Sequence, residues 1–516
     1  MTRARLLLED VETDAGPVRG TVTSEYRLFQ GIPYAASTAG AGRWRPPRPV
    51  RPWTEPLDAT RPGAMSPQQP SSYAEVGSLD EDCLVLNVTT PSPVVGGHRW
   101  PVLVWIHGDG AVGAGSFFDA RPLATGGDVM VVTINYRLGI FGAFGHPGLE
   151  GSGTFGLQDQ QAALGWVARN AAAFGGDPGN VTVFGESYGG LSVSAHLISP
   201  ASTGLFHRAI VQSGFALMDL PAGAMFPGLP AVPWYGWRST VEVEALGAAV
   251  ASQLGCAEPA TALDCLRRLP VEQLFAHAQP FQPYAFGNPV LPDDPGTALR
   301  EGRFHRVPVL AGSTHDEHRL FVGLFRVLAG QPVTSGQYPT LLVEAFGEDA
   351  AKVQARYPLS DYPSPAVAWA TVLTDRMWAR STFAQHRLLA EHVPVHAYEF
   401  ADGGAPMYLP FPPDLPPGAF HAAEVPYLFP DDKFRSAATP EQLALSDRML
   451  RSWADFARTG DPGGLGLPSW PRFDGAQAVP YVQSLAPGRD GIRPVDFAAE
   501  HQLDFWEATD PSPGPG

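Results

Sequence analysis

A serine flanked by glycine two residues away on each side stands at Gly185-Glu186-Ser187-Tyr188-Gly189-Gly190. It lies between an apolar run, Val181-Thr182-Val183-Phe184, and a stretch of helical pattern from Leu191 to Ile198. Strand, serine turn and helix is the order of a nucleophile elbow, in which the two flanking residues crowd each other and must lack side chains. The turn also aims the unpaired amides of the helix start at an oxyanion developing beside the serine. The bare pattern is weak, because with 56 glycines in 516 residues it arises by chance roughly 0.3 times. Its place between a buried strand and a helix is what favours a nucleophile over a structural turn. A second glycine-rich turn, His107-Gly108-Asp109-Gly110, closes the apolar run Val102 to Ile106 and offers backbone N–H groups to the same oxyanion. Alone it would read as a plain strand-to-loop turn; beside the elbow it reads as an oxyanion loop.

A serine nucleophile needs a base and an acid to orient it, in the chain order Ser, Asp/Glu, His for such a fold. The run His315-Asp316-Glu317-His318 resembles a metal cluster on its face. Neighbouring loop residues seldom converge on one ion, and no His-Glu-x-x-His or Cys-x-x-Cys motif supports one. Neither a metal nor a cofactor is expected.

Several segments together resemble the type-B carboxylesterase family of α/β-hydrolases, which includes bacterial p-nitrobenzyl esterases and animal cholinesterases. Besides the elbow, these are Glu81-Asp82-Cys83-Leu84-Val85-Leu86-Asn87-Val88, Asn135-Tyr136-Arg137-Leu138-Gly139 and Phe174-Gly175-Gly176-Asp177-Pro178, and the match runs in order from about Gly16 to Phe473. The resemblance implies a catalytic Ser187, with His421 as base in Gly418-Ala419-Phe420-His421-Ala422-Ala423-Glu424, and Glu317 as acid in Gly312-Ser313-Thr314-His315-Asp316-Glu317, with Asp316 as its near rival. It implies an oxyanion hole from the amides of Asp109, Gly110 and Tyr188, and a supporting role for Ser213 in Gln212-Ser213-Gly214. It also implies ion pairs of Arg43 with Glu81 and of Arg137 with Asp159, where separate solvated charges are the alternative. Cys256 and Cys265 match the family's small-loop disulfide, while Cys83 faces Ser66-Pro67-Gln68 where a partner cysteine often stands, and is expected to be a buried free thiol.

Two positions depart from the family pattern. Asp109 replaces a glycine whose amide is an expected oxyanion donor, and a carboxylate there would repel the oxyanion unless it is turned away or protonated. Tyr188 replaces a small residue after the nucleophile, which leaves the amide available and alters the pocket. Phe117, Phe118 and the proline-rich run Pro406 to Pro417 are candidate pocket residues, though most aromatics of this kind are core.

The elements that must position these groups follow from the apolar patterning. Continuous runs at 102–106, 129–134 and 181–184, a helical pattern across Asp159 to Phe174, and later runs at 307–311 and 395–400 indicate an α/β fold with a mostly parallel sheet covered by helices. One domain over residues 1–509 is expected, with insertions at about 215–300 and 320–390 over the site and a disordered tail at 510–516. A formal charge of −17, from 35 basic and 52 acidic residues, disfavours nucleic acid and anionic lipid as partners. No apolar stretch is long enough to span a membrane. Glu9, Asp10, Glu12 and Asp14 follow Leu6-Leu7-Leu8 too closely for an export signal, and with three cysteines the cytoplasm is the expected compartment. The expected activity is hydrolysis of a small carboxylic ester through an acyl-enzyme. A specialised acyltransferase, amidase or tailoring enzyme is the alternative, and a catalytically silent binding protein a more distant one.

Overall fold

Alternation of side chains along the central strands decides the layering. In Trp100–Ile106, Val102, Val104 and Ile106 enter one buried apolar cluster while Leu103 and Trp105 enter another. Met130, Val132 and Ile134 divide in the same way from Val131, as do Val309 and Ala311 from Leu310. Successive residues of a strand face opposite sides of the sheet, so strands apolar at every position must be covered on both faces. The sheet therefore lies between two cores, and a third apolar cluster around Trp44, Phe144, Val243 and Phe281 sits beside them.

The computed structural model describes residues 7–71, 76–94 and 97–509; the expected tail at 510–516 lies outside them. Among the described residues the main sheet has 13 strands. Its middle runs parallel in the order Met130–Ile134, Trp100–Ile106, Gly176–Glu186, Arg208–Gln212, Val309–Thr314, Val395–Phe400 and Val482–Leu485. Antiparallel strands from the first hundred residues extend one side, from Val85–Pro91 out to Leu7–Glu12. The parallel strands all end at one edge, and the functional loops cluster there, as is usual for open α/β sheets.

Small shifts from the sequence reading have local causes. The helix expected over 159–174 runs from Phe155 to Asn170 and passes into a tighter turn, Ala171–Phe174, closed by Gly175 at φ 90°. The strand expected from Val307 begins at Val309, after a proline that has no amide to give to a ladder. Segment 215–300 carries a two-stranded pair, Trp237–Ser239 with Tyr284–Phe286, the helix Thr240–Gln253 and the Cys256–Cys265 disulfide. Segment 320–390 is helical and includes π-helical turns at Gly323–Val327 and Thr374–Ala379. Cys83 is buried and free, and burial pushes its thiol up to about 12.

Both expected ion pairs form, each with two-pronged geometry. Arg43 meets Glu81 at 2.7 and 2.6 Å, and Arg137 meets Asp159 at 2.7 Å through both prongs. Arg137 and Asp159 are buried, so each charge depends on the other for solvation. Replacing Asp159 with Ala strands a buried guanidinium and is expected to lower unfolding stability by about 3–5 kcal/mol. Urea melts of the variant against the parent protein measure it.

Candidate active site

Gly176–Glu186 ends at Ser187, whose backbone sits at φ 58° and ψ −120°, and the helix Tyr188–Ile198 starts at the next residue. The reversal is tight enough that a Cβ on Gly185 would lie 2.6 Å from the backbone of Gly189, and a Cβ on Gly189 would lie 2.0 Å from the carbonyl oxygen of Ile106. Neither space exists for a side chain. The Ser187 amide donates to the Gln212 carbonyl at 2.9 Å, which ties the turn to the neighbouring strand.

Ser187, Glu317 and His421, far apart in the chain, meet at the carboxyl edge of the sheet. His421 Nε2 is 2.7 Å from Ser187 Oγ, and His421 Nδ1 is 2.5 Å from Glu317 Oε2. Glu317 is fully buried, and its other oxygen accepts from the Thr314 amide at 2.9 Å. Asp316, the rival acid, points elsewhere. Its carboxylate accepts from the Ala419 amide at 2.9 Å and pairs with Arg319 at 2.8 Å, while its own amide donates to the Ala419 carbonyl at 2.9 Å. Asp316 thus fastens the acid loop to the histidine loop. His318 accepts from the Trp378 indole at 3.1 Å, and Trp378 and Phe321 pack on the His421 ring at centroid distances of 4.7 and 5.0 Å. The four side chains from His315 to His318 diverge to four different partners.

The amides of Asp109 and Gly110 donate to no other described group, and that of Tyr188 opens its helix. The loop is held from behind. Tyr136 Oη donates to the His107 carbonyl at 2.7 Å and the Gly139 amide to the Gly110 carbonyl at 2.8 Å, which gives the Asn135 to Gly139 segment its role. Asp109 sits at φ 72°, with Oδ1 accepting from the amides of Ala111 at 3.1 Å and Val112 at 3.2 Å, so the carboxylate folds back onto its own loop. Solvent still reaches the residue, but protein crowds it enough that desolvation raises its carboxyl above the usual value, against those two bonds. The Tyr188 hydroxyl donates to the Gln282 carbonyl at 2.8 Å, anchoring segment 215–300 to the elbow.

The buried Ser213 hydroxyl has no hydrogen-bond partner among the described residues, while its neighbour Gln212 accepts from the Ser187 amide through its carbonyl and donates to Glu424 through its side chain at 3.2 Å. Phe118 packs on Trp105 and Phe429, each at 5.2 Å, within the second core. Phe117 is 46% exposed. The rings against the imidazole are Phe321 and Trp378.

Two carboxylates escaped the sequence reading. Glu186, next to Ser187, places Oε1 3.2 Å from His421 Nε2, and Glu424 accepts from the Gln212 side chain at 3.2 Å. Both are buried, and burial with the nearby carboxylates pushes Glu186 up to about 8 and Glu424 up to about 7. Glu186 stands inside the elbow motif, and Glu424 three residues past His421. Only tertiary burial makes either one notable.

A model of the carboxylesterase family matches residues 8–506 of this chain. The chain belongs to the carboxylesterase family. The para-nitrobenzyl esterase of Bacillus subtilis (strain 168) is 34% identical over 479 residues, covering 90% of this chain and 92% of its own. The cocaine esterase of Oryctolagus cuniculus is 33% identical over 556 residues, covering 97% of each. A solved PNB esterase structure superposes with a TM-score of 0.77 at 31% identity, covering 96% of this chain and 99% of its own. This carboxylesterase-family chain is a carboxylic ester hydrolase with the α/β-hydrolase fold.

The carboxylates bear on pH dependence. Burial alone would lower the His421 pKa, but Glu186, Glu317 and Glu424 outweigh it and raise it to about 9. Burial pushes Glu186 itself toward the protonated form, which weakens its share of that push at neutral pH. A base active only when neutral then loses rate as pH falls, with the acid limb of kcat/KM lying above the reference 6.5 and no higher than about 9. Replacing Glu186 with Gln removes one carboxylate and is expected to move that limb toward 6.5. A pH-rate profile of both proteins measures the shift.

Proposed function

We propose that Ser187 is the nucleophile of a serine carboxylesterase, His421 its general base and acid, and Glu317 the carboxylate that orients the imidazole. His421 Nε2 takes the Ser187 proton as Oγ attacks the ester carbonyl, and the oxyanion is received by the amides of Asp109, Gly110 and Tyr188. The imidazolium then protonates the leaving alcohol. Water, deprotonated by the same ring, releases the acid from the acyl-serine. The single observation that carries this reading is the continuous contact from Ser187 Oγ through His421 to the buried Glu317.

Pocket walls belong to the same proposal. An aromatic series leads away from the imidazole, with Trp378 against Phe215 at 5.9 Å and Phe215 against Tyr235 at 5.3 Å, so segments 215–300 and 320–390 present an apolar lining suited to the hydrocarbon part of a small ester. Among the described residues no helix is long and apolar enough to cross a membrane. Cytoplasmic residence, the reading from cysteine usage, stands against the Cys256–Cys265 bridge, since such bonds persist in oxidising compartments. The oxidation state of that pair in source cells decides it.

The specialised acyltransferase or amidase reading turns on Asp109. With its carboxylate bonded to the Ala111 and Val112 amides, Asp109→Gly is expected to change turnover of p-nitrophenyl esters by less than about tenfold, or about 1.4 kcal/mol. A large gain would favour the specialised reading. Ser187→Ala is expected to lower kcat by at least about 10⁴-fold in the same assay. Turnover retained in that variant would overturn the nucleophile assignment.

A further inference from the structure

Away from the serine, His315, Glu399 and His501 converge from three parts of the chain: the acid loop, the strand Val395–Phe400 and the turn between the C-terminal helices Phe497–Glu500 and Leu503–Thr509. His315 Nδ1 lies 3.1 Å and His501 Nε2 2.6 Å from the same oxygen, Glu399 Oε1, and one nitrogen or oxygen from each of the three residues falls within 4.8 Å of the others. The second oxygen of Glu399 is buried and has no hydrogen-bond partner among the described residues. An ion pair of two imidazoles on one oxygen leaves that orphan unexplained, since a buried carboxylate oxygen without a donor is costly. A metal ion held by the carboxylate would draw on it.

The surroundings have the form of a metal site. His501 presents Nε2 to the cluster while its Nδ1 is 2.7 Å from Asp375 Oδ1, the carboxylate–histidine arrangement that orients a ligating imidazole and raises its basicity. Asp375 is braced in turn by the Tyr357 hydroxyl at 2.9 Å, and that hydroxyl by the Trp506 indole at 2.8 Å. His315 keeps 40% of its side chain exposed, which leaves a path for an ion and room for water. Two imidazoles, one carboxylate and an open position suit Zn²⁺, whereas Ca²⁺ and Mg²⁺ favour all-oxygen shells.

We propose that His315, Glu399 and His501 form a Zn²⁺-binding site, oriented by Asp375, that fastens the C-terminal helices to the sheet and to the acid loop. Of the His315 to His318 run only His315 takes part. Because Asp375 lies in the same π-helical turn as Trp378, the ion would also brace the wall beside His421.

The test uses the full chain stripped with a chelator and dialysed against Zn²⁺ at pH 8, with bound metal counted and thermal melting followed. Wild type is expected to take up one equivalent saturably and to melt higher with zinc. His315→Gln, which removes a half-exposed ligand, should weaken binding at least about tenfold. His98→Gln, at an exposed histidine elsewhere, should leave it unchanged. Absence of saturable uptake, or equal uptake by His315→Gln, overturns the site. Co²⁺ supplies a readout that needs no variant: a strong visible ligand-field spectrum from the wild-type protein supports a low-coordinate nitrogen and oxygen site, and a weak spectrum of the aqueous kind overturns it.

Discussion

Ser187 holds its backbone at φ 58° and ψ −120°, a conformation that an L-residue leaves whenever it is free to do so. Strain of this kind costs about 1–3 kcal/mol and persists only where the surroundings over-determine it. Here they do so through close backbone contact of Gly185 and Gly189 with each other and with the Ile106 carbonyl, and through the bond from the Ser187 amide to Gln212. The rest of the site follows from that reversal. It lifts Oγ off the strand toward His421, and it leaves the Tyr188 amide at an open helix start. It also brings the oxyanion loop close, so that a Cβ on Gly108 would lie 3.1 Å from the Ser187 Cβ. Asp109, Ser213 and Ala422, in the adjoining loops, also sit at positive φ, while Trp44, Asp128 and Gln502 do so elsewhere.

Charge is the second constraint. Three buried carboxylates surround one imidazole, in a chain whose formal charge is already −17. They cannot all ionise there at low cost, and desolvation divides them. Glu317 receives the Thr314 amide on one oxygen and faces His421 Nδ1 with the other, so both of its oxygens have partners. Glu186 and Glu424 are pushed toward the protonated form, which spares the site an excess of negative charge at neutral pH. In the proposed mechanism the arrangement favours the imidazolium that forms as the serine proton leaves, the step in which a nearby fixed carboxylate has most effect.

The elbow was legible because its constraint is local: two glycines, a serine and the flanking strand and helix all lie within one short stretch. The parallel sheet was legible from runs apolar at every position, which only a doubly covered strand tolerates. Placing Glu317 and His421 depended on family resemblance, and the structure turns Glu317 toward Nδ1 and Asp316 toward Ala419. What stayed hidden is tertiary. Nothing in the pattern around Glu186 or Glu424 marks them as buried, nor shows that Trp378 and Phe321 rather than Phe118 lie on the imidazole. Nor does the pattern show that the Gln212 side chain reaches Glu424 and Trp453 from a neighbouring strand. The π-helical turn that swings Trp378 onto His421 likewise has no marker in its residues, Thr374 to Ala379.

The structure of the protein after reaction with a p-nitrophenyl alkylphosphonate tests the central claim most directly, because the adduct copies the tetrahedral intermediate at the attacked carbon. Phosphorus is expected bonded to Ser187 Oγ, with the phosphoryl oxygen within about 3.1 Å of the Gly110 and Tyr188 amides. His421 is expected still held by Glu317. An adduct on another residue, or a phosphoryl oxygen turned away from those amides, would contradict that claim.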